Sequence, residues 1–420
     1  MRTALRALVW TMSVVLPACP AVAGRLVSAV PEEVGLSASR LDRIDKVMQQ
    51  YVDEGRIAGV VTLIMHDGKV AHHKAFGMSD IEAGAPMTTD AMFRIASMSK
   101  PLTATAVMIL YEQGRFLLND PVSKYIPEFA RPQVLVRSDD GSTRTEPARR
   151  EITIRHLLNH TSGLTYGDGP LAPYYREVSI ATGLAPTDDT IEQMVKKLAR
   201  LPLISHPGEE MHYGLSIDVL GYLVEVLSGQ DFNTFCTEHI FQPLQMDDTC
   251  FVLPQEKLPR LARMYRLTTS EGKLQKDATD PAFLTRQKFF SGGAGVISTA
   301  SDYARFAQMI LNGGKLDGVR IVSRKTVELM TSNSIGELYA PFRYNTGDKM
   351  GYGFGIRTER GAFDELESLG IVGWDGAYFT RFWIDAQENL IGVFMTQMDG
   401  YWWADLATKY RVLVYQAITD

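Results

Sequence analysis

Cysteine is scarce, with three among 420 residues, at 19, 236 and 250. Two cysteines in the body of the chain could pair, but they do not make a disulfide framework. Cys236 falls in an apolar helical pattern and reads as a buried thiol. Charge of one sign is also lacking. Lys+Arg total 43 against 49 for Asp+Glu, a formal net charge of -6. Such a mildly acidic chain has no electrostatic footprint for nucleic acid. Beyond the N-terminus no apolar run reaches the roughly 20 residues of a membrane span. There is no internal repeat, and 45% hydrophobic with 22% charged residues excludes disorder and fibrous classes. Three reaction motifs are missing as well: the G-x-S-x-G nucleophile elbow, the G-x-x-x-x-G-K-[ST] phosphate loop, and H-E-x-x-H.

The N-terminus has the form of a targeting segment. Arg2 and Arg6 give a basic start, Ala7 to Leu16 an apolar stretch too short to span a membrane, and Ala21-Val22-Ala23 an A-x-A cleavage site. Residues 1–23 are therefore expected to be a signal peptide, and the mature protein periplasmic or secreted. Leu16-Pro17-Ala18-Cys19 offers a second reading, lipidation at Cys19, which Pro17 fits poorly.

Apolar periodicity predicts a helix over Ser39 to Tyr51. Val60 to Met65 and Val70 to Phe76 flank His66-Asp67-Gly68-Lys69, a hairpin signature. The middle of the chain reads as helix and loop: Leu102 to Glu112, Ile191 to Leu198, and Ile217 to Leu227 ending at Gly229. Residues 131–150, with Asp140-Gly141 as a hairpin tip, and 163–190 are long and aperiodic, as functional loops are. Strand signals return at Tyr352 to Thr358, Tyr378 to Ile384 and Leu390 to Met398, and residues 402–417 close the chain as a helix. This order predicts an α+β, two-lobed fold. About 24–93 and 286–420 build an antiparallel sheet flanked by helices, and about 94–285 form a mostly helical lobe. A site between the lobes is expected.

Three short strings can carry chemistry. In Ser97-Met98-Ser99-Lys100, serine and lysine three apart share one helical face, so the amine can reach the hydroxyl. The string opens an apolar helix, whose N-terminal N–H groups favour an anion. That setting suits a nucleophile, and equally an ordinary helix start. A second copy, Ser270-Glu271-Gly272-Lys273, sits in a polar run and reads as loop. Tyr213 precedes an amphipathic helix, as a core residue would. Beside an amine its phenol could also lose a proton and act as a base. Trp374-Asp375-Gly376-Ala377 reads as a turn before a strand, in which Gly376 permits close backbone approach and an edge N–H could serve an oxyanion hole.

Together, in this order, these strings resemble the serine β-lactamase and penicillin-binding superfamily, in the branch of class C β-lactamases and family VIII carboxylesterases. Ile154-Arg155-His156-Leu157-Leu158-Asn159-His160-Thr161-Ser162-Gly163-Leu164, Leu118-Asn119-Asp120-Pro121-Val122 after Gly114, and Gly292 to Thr299 extend the resemblance over about residues 35–415. It implies Ser97 as nucleophile, Lys100 as the amine that helps deprotonate it, and Tyr213 as general base and then acid. It also implies an oxyanion hole from the N–H groups of Ser97 and Ala377. The substrate is then a small-molecule ester, cleaved through an acyl-serine without cofactor or metal. Two positions depart from the β-lactamase pattern. Leu215 replaces the asparagine of Tyr-x-Asn, and Trp374 the lysine of Lys-Thr-Gly. Losing a cationic carboxylate anchor removes about 1.5–3 kcal/mol of charge-assisted binding. Leu215, Trp374 and Gly376 are therefore expected to form an apolar, ester-selecting wall, as in family VIII esterases. The alternatives are a β-lactamase or D-Ala-D-Ala peptidase and, from another class, an inactive peptidoglycan-binding module. Two further features are read as structural. His156 and His160 have a zinc-like spacing without an acid between them, and Trp402-Trp403 packs the last helix.

Overall fold

The computed structural model describes residues 26–138, 141–268, 272–338, 348–359, 366–400 and 405–419. Residues 1–23 with Cys19, Asp140, Ser270 and Glu271, and the Trp402-Trp403 pair lie outside them.

Helix α1 spans Ala38–Asp53. It starts where Ser37 accepts the Arg40 N–H, and it buries Leu41, Ile44, Met48 and Tyr51 along one stripe. Strands β1 (Gly59–His66) and β2 (Lys69–Asp80) follow as an antiparallel hairpin. Both turn residues are left-handed, Asp67 at φ 49 and Gly68 at φ 73, the conformation that Asp-Gly supplies cheaply. Strands β3 (Ala85–Pro86), β4 (Asp348–Met350), β5 (Gly355–Arg357), β6 (Val372–Gly376), β7 (Thr380–Asp385) and β8 (Leu390–Met395) complete an eight-stranded sheet in the order β4-β5-β6-β7-β8-β1-β2-β3. Every neighbouring pair is antiparallel.

The central strands alternate between two cores. Val61, Leu63 and Met65 of β1 with Ile391, Val393 and Met395 of β8 face the main core. Val60, Ile64, Leu390, Phe394 and Trp383 face a second core closed by α1 and by α7 (Leu406–Tyr415). Each fully buried aliphatic side chain contributes about 1.5–3 kcal/mol, and all eight residues of β1 are buried. Helices α2 (Ser99–Glu112), α3 (Ile154–Leu158), α4 (Ile191–Leu198) and α5 (Ser216–Ser228) form the helical region. Helix α6 (Ala300–Leu311) packs on β1, β7 and β8.

Four late elements differ from expectation. The run 352–358 is not one strand. Gly351 and Gly353 let it fold back as the β4–β5 hairpin, which drives Tyr352 and Phe354 into the main core. Trp374 to Gly376, expected as a turn, end strand β6. The turn comes after them, where Phe379 takes φ 63 and its N–H donates to the Gly376 carbonyl, so β7 starts at Thr380 rather than 378. Strand β8 stops at Met395, and Met398 pairs in a separate small sheet with Tyr265. The polar stretch 131–150 holds a hairpin, Gln133–Arg137 against Thr143–Pro147. Cys236 and Cys250 are both free thiols. Burial lifts the first well above its ordinary range and the second to about 12.

Candidate active site

The chain reaches Ser97 through a strained turn. Phe93–Arg94 pairs with Ile297–Ser298, and the Gln397 amide brackets Arg94 by accepting its N–H at 3.1 Å and donating to its carbonyl at 3.1 Å. Ala96 then adopts φ 43, which costs a non-glycine residue about 1 kcal/mol and marks a position held by its surroundings. A 3-10 turn, Ala96–Met98, carries Ser97 into α2. From Ser99 to Leu110 every residue of α2 is buried, as a central helix requires. Its polar side chains are satisfied. Ser99 accepts the Val296 N–H at 3.1 Å, and Thr103 donates to the Gly292 carbonyl at 2.7 Å.

Lys100 is 1% exposed. Its ammonium donates to Ser97 Oγ at 3.0 Å, Tyr166 Oη at 3.0 Å and the Gly293 carbonyl at 2.8 Å, which uses all three of its protons. It also lies 4.6 Å from the Tyr213 ring centre, a cation–π distance. Tyr213 sits in the loop ahead of α5, and its oxygen accepts the Trp374 Nε1–H at 3.2 Å. The two rings are 5.6 Å apart. The structure thus brings Ser97, Lys100, Tyr213 and Trp374 together.

Gly376 is needed for close approach. A Cβ there would lie 2.1 Å from Thr380 Oγ1 and 2.3 Å from the Ile95 carbonyl oxygen. Thr380 in turn donates to that carbonyl at 3.3 Å. The glycine therefore lets β6 and the turn containing Ala377 press against the segment that presents Ser97, rather than approach a ligand. Leu215 is a correction. Its side chain is 0% exposed and belongs to the main core, so it has no surface to offer a substrate. It starts the tightly packed helix α5, which turns it inward.

Two functional groups escaped the sequence reading. Tyr166 lies just past the string that ends at Leu164. Its hydroxyl accepts from Lys100 at 3.0 Å, and Tyr213 and Ser97 are among the neighbours that act on it. Burial, and then the neighbouring Tyr213, raise its hydroxyl well above the ordinary range. The only hint in the sequence was a tyrosine in a long aperiodic loop. The second is Asp218, fully buried on the first turn of α5, its carboxyl raised by burial. His156 and His160 have separate roles. His156 completes the cap of α3, whereas His160 is buried 4.9 Å from the Tyr213 ring and held neutral by burial and by Lys100.

Residues 44–416 match the family described as Beta-lactamase. Protein Rv1367c of Mycobacterium tuberculosis is 34% identical over 370 residues, 85% of this chain and 90% of that protein. Esterase EstB of Burkholderia gladioli is 30% identical over 380 residues, 86% and 91% of the two chains. The solved structure of EstCE1, described as a hydrolase with promiscuous acyltransferase activity, is similar with a TM-score of 0.78 at 28% identity, covering 90% of this chain and 99% of that one.

Proposed function

The chain belongs to the Beta-lactamase family, and from that premise we propose that this serine hydrolase is a carboxylesterase acting on short-acyl esters. In this reading Ser97 Oγ attacks the ester carbonyl. Its proton passes to Tyr213, and Tyr213 returns it to the departing alkoxide. The N–H groups of Ser97 and Ala377 hold the oxyanion. Water then releases the acyl group by the reverse proton path. Lys100 keeps Ser97 Oγ in line and offsets negative charge among the three hydroxyls.

The observation that carries the ester preference is Trp374. Its indole packs with Met211, Ile335 and Met350 and donates to Tyr213, so an apolar ring stands where the β-lactamase pattern has a lysine. Similarity to EstB supports the same reading. A chain-length series of p-nitrophenyl esters tests it. Each buried methylene contributes about 0.8 kcal/mol, so kcat/KM should rise about fourfold per carbon from acetyl to butyryl. It should then fall for long chains. A monotonic rise through palmitate would point to an open, lipase-like groove. Secondary turnover of β-lactams fits the same residues. We also read residues 1–23 as an export signal, for which the N-terminal sequence of protein recovered outside the cytoplasm, beginning at Gly24, is the check.

A further inference from the structure

The lysine of the site is wired to a buried carboxylate that the proton transfers above do not use. Lys100 Nζ donates to the Gly293 carbonyl at 2.8 Å. The N–H of that same peptide unit, on Ala294, donates to Ser291 Oγ at 3.0 Å. The Ser291 hydroxyl donates to Asp218 Oδ1, which also accepts the Gly293 N–H at 3.2 Å. All the donors point the same way, from ammonium through peptide and hydroxyl to carboxylate, so each bond polarises the next. The relay is sealed. Asp218 and Ser291 are both 0% exposed, and Asp218 Oδ2 has no hydrogen-bond partner. A Cβ at Gly293 would lie 2.5 Å from Asp218 Oδ2, and one at Gly183 2.3 Å from Ser291 Oγ, so only glycine fits at either point.

A carboxylate with an unpartnered oxygen in a dry core is strongly unfavourable unless a charge answers it. Among the groups packed around it, Lys100 is the cation. The other titratable groups facing Lys100 are Tyr166 and Tyr213, His160, which burial keeps neutral, and Asp218 itself.

We propose that Asp218 is a positioning residue for catalysis, acting through Ser291 and the Gly293–Ala294 peptide to keep a positive charge on Lys100 beside Tyr213, which favours the phenolate that accepts the Ser97 proton. The inference rests on Ser97 being the nucleophile, but not on the substrate being an ester. Without that negative charge Lys100 holds its proton less firmly, less positive charge faces Tyr213, and the phenolate is favoured less. The acidic limb of the reaction then moves to higher pH, and the rate near neutral pH falls.

The test is the pH dependence of Ser97 labelling by a fluorophosphonate, measured as a second-order rate on the full chain, with p-nitrophenyl butyrate turnover in parallel. Asp218→Asn keeps size and an acceptor oxygen. It should move the acidic limb up by about one pH unit and lower the rate near neutral pH about tenfold. Ser291→Ala removes the hydroxyl link and should move the limb the same way by less. It serves as the measurement if Asp218→Asn does not fold. A lowered plateau with the limb unmoved in both variants would make Asp218 purely structural and overturn the proposal, as would an absence of Ser97 labelling in the parent protein. Labelling with shifted limbs but no ester turnover would uphold the relay and reject the esterase reading instead.

Discussion

At the scale of single residues, the site solves the problem of keeping an ammonium group nearly out of water. Lys100 does so by spending every proton on an oxygen, and one of those oxygens is the nucleophile's. Groups so linked act as a unit, so removing any one should cost most of the rate. Ser97→Ala, Lys100→Ala and Tyr213→Phe are each expected to lose about 10³-fold or more in kcat, with circular dichroism unchanged. A Tyr213→Phe enzyme with near-normal turnover would show that Tyr213 is not the base. Tyr166→Phe should be milder, about tenfold, because Lys100 still reaches Ser97 and Gly293. Trp374 contributes one bond to this unit. Trp374→Phe retains the ring packing and deletes the N–H donated to Tyr213, so kcat should fall about tenfold while KM for butyrate esters stays within about twofold. A change confined to KM would mean that the indole only lines the cleft.

At the scale of elements, strand β6 and the turn after it must lie against the Ser97 turn at backbone contact. Gly376→Ala puts a methyl into Thr380 Oγ1 and the Ile95 carbonyl, and backbone there cannot yield cheaply. We expect a loss of about 2 kcal/mol in denaturant unfolding, with activity reduced beyond what stability explains. An unaffected midpoint would show that the turn relaxes freely. The elements also show what was readable beforehand. Serine and lysine three apart on a helix are a local relation, so Ser97 and Lys100 could be paired from spacing alone. The β1–β2 hairpin was readable because Asp67-Gly68 encodes its own turn. The strand holding Trp374 was not, because its five residues, Val372-Gly373-Trp374-Asp375-Gly376, carry two glycines and a charge and take their register from β5 and β7. Tyr166 was not readable because its loop has no period, and its reach to Lys100 exists only once the chain has folded. Leu215 was assigned to the cleft by the resemblance, as the residue at the asparagine position of Tyr-x-Asn. Burial of the start of α5 decided otherwise.

At the scale of the whole molecule, stability is tied to pH through carboxylates outside the site. Asp120 is held at about 2 by the Tyr125 hydroxyl and the Leu117 N–H. For Asp80 and Asp405 burial pushes the carboxyl upward, but Lys276 and Lys409 outweigh it and hold both at about 2. Since these values lie below the ordinary 3.8, their stabilisation is complete above that pH and is lost as pH falls toward 2. The thermal midpoint should therefore drop through that window, and a flat midpoint there would contradict the pairing. The central claim is that this scaffold runs acyl transfer from Ser97 with an apolar ring in place of a carboxylate anchor. It is tested most directly by kcat/KM for p-nitrophenyl butyrate and for nitrocefin, side by side, in the parent protein and in Ser97→Ala. The account predicts that the parent favours the ester by about tenfold to 150-fold, since a missing charge-assisted contact is about 1.5–3 kcal/mol, and that Ser97→Ala loses both activities. Preference for nitrocefin, or ester turnover that survives in Ser97→Ala, would contradict it.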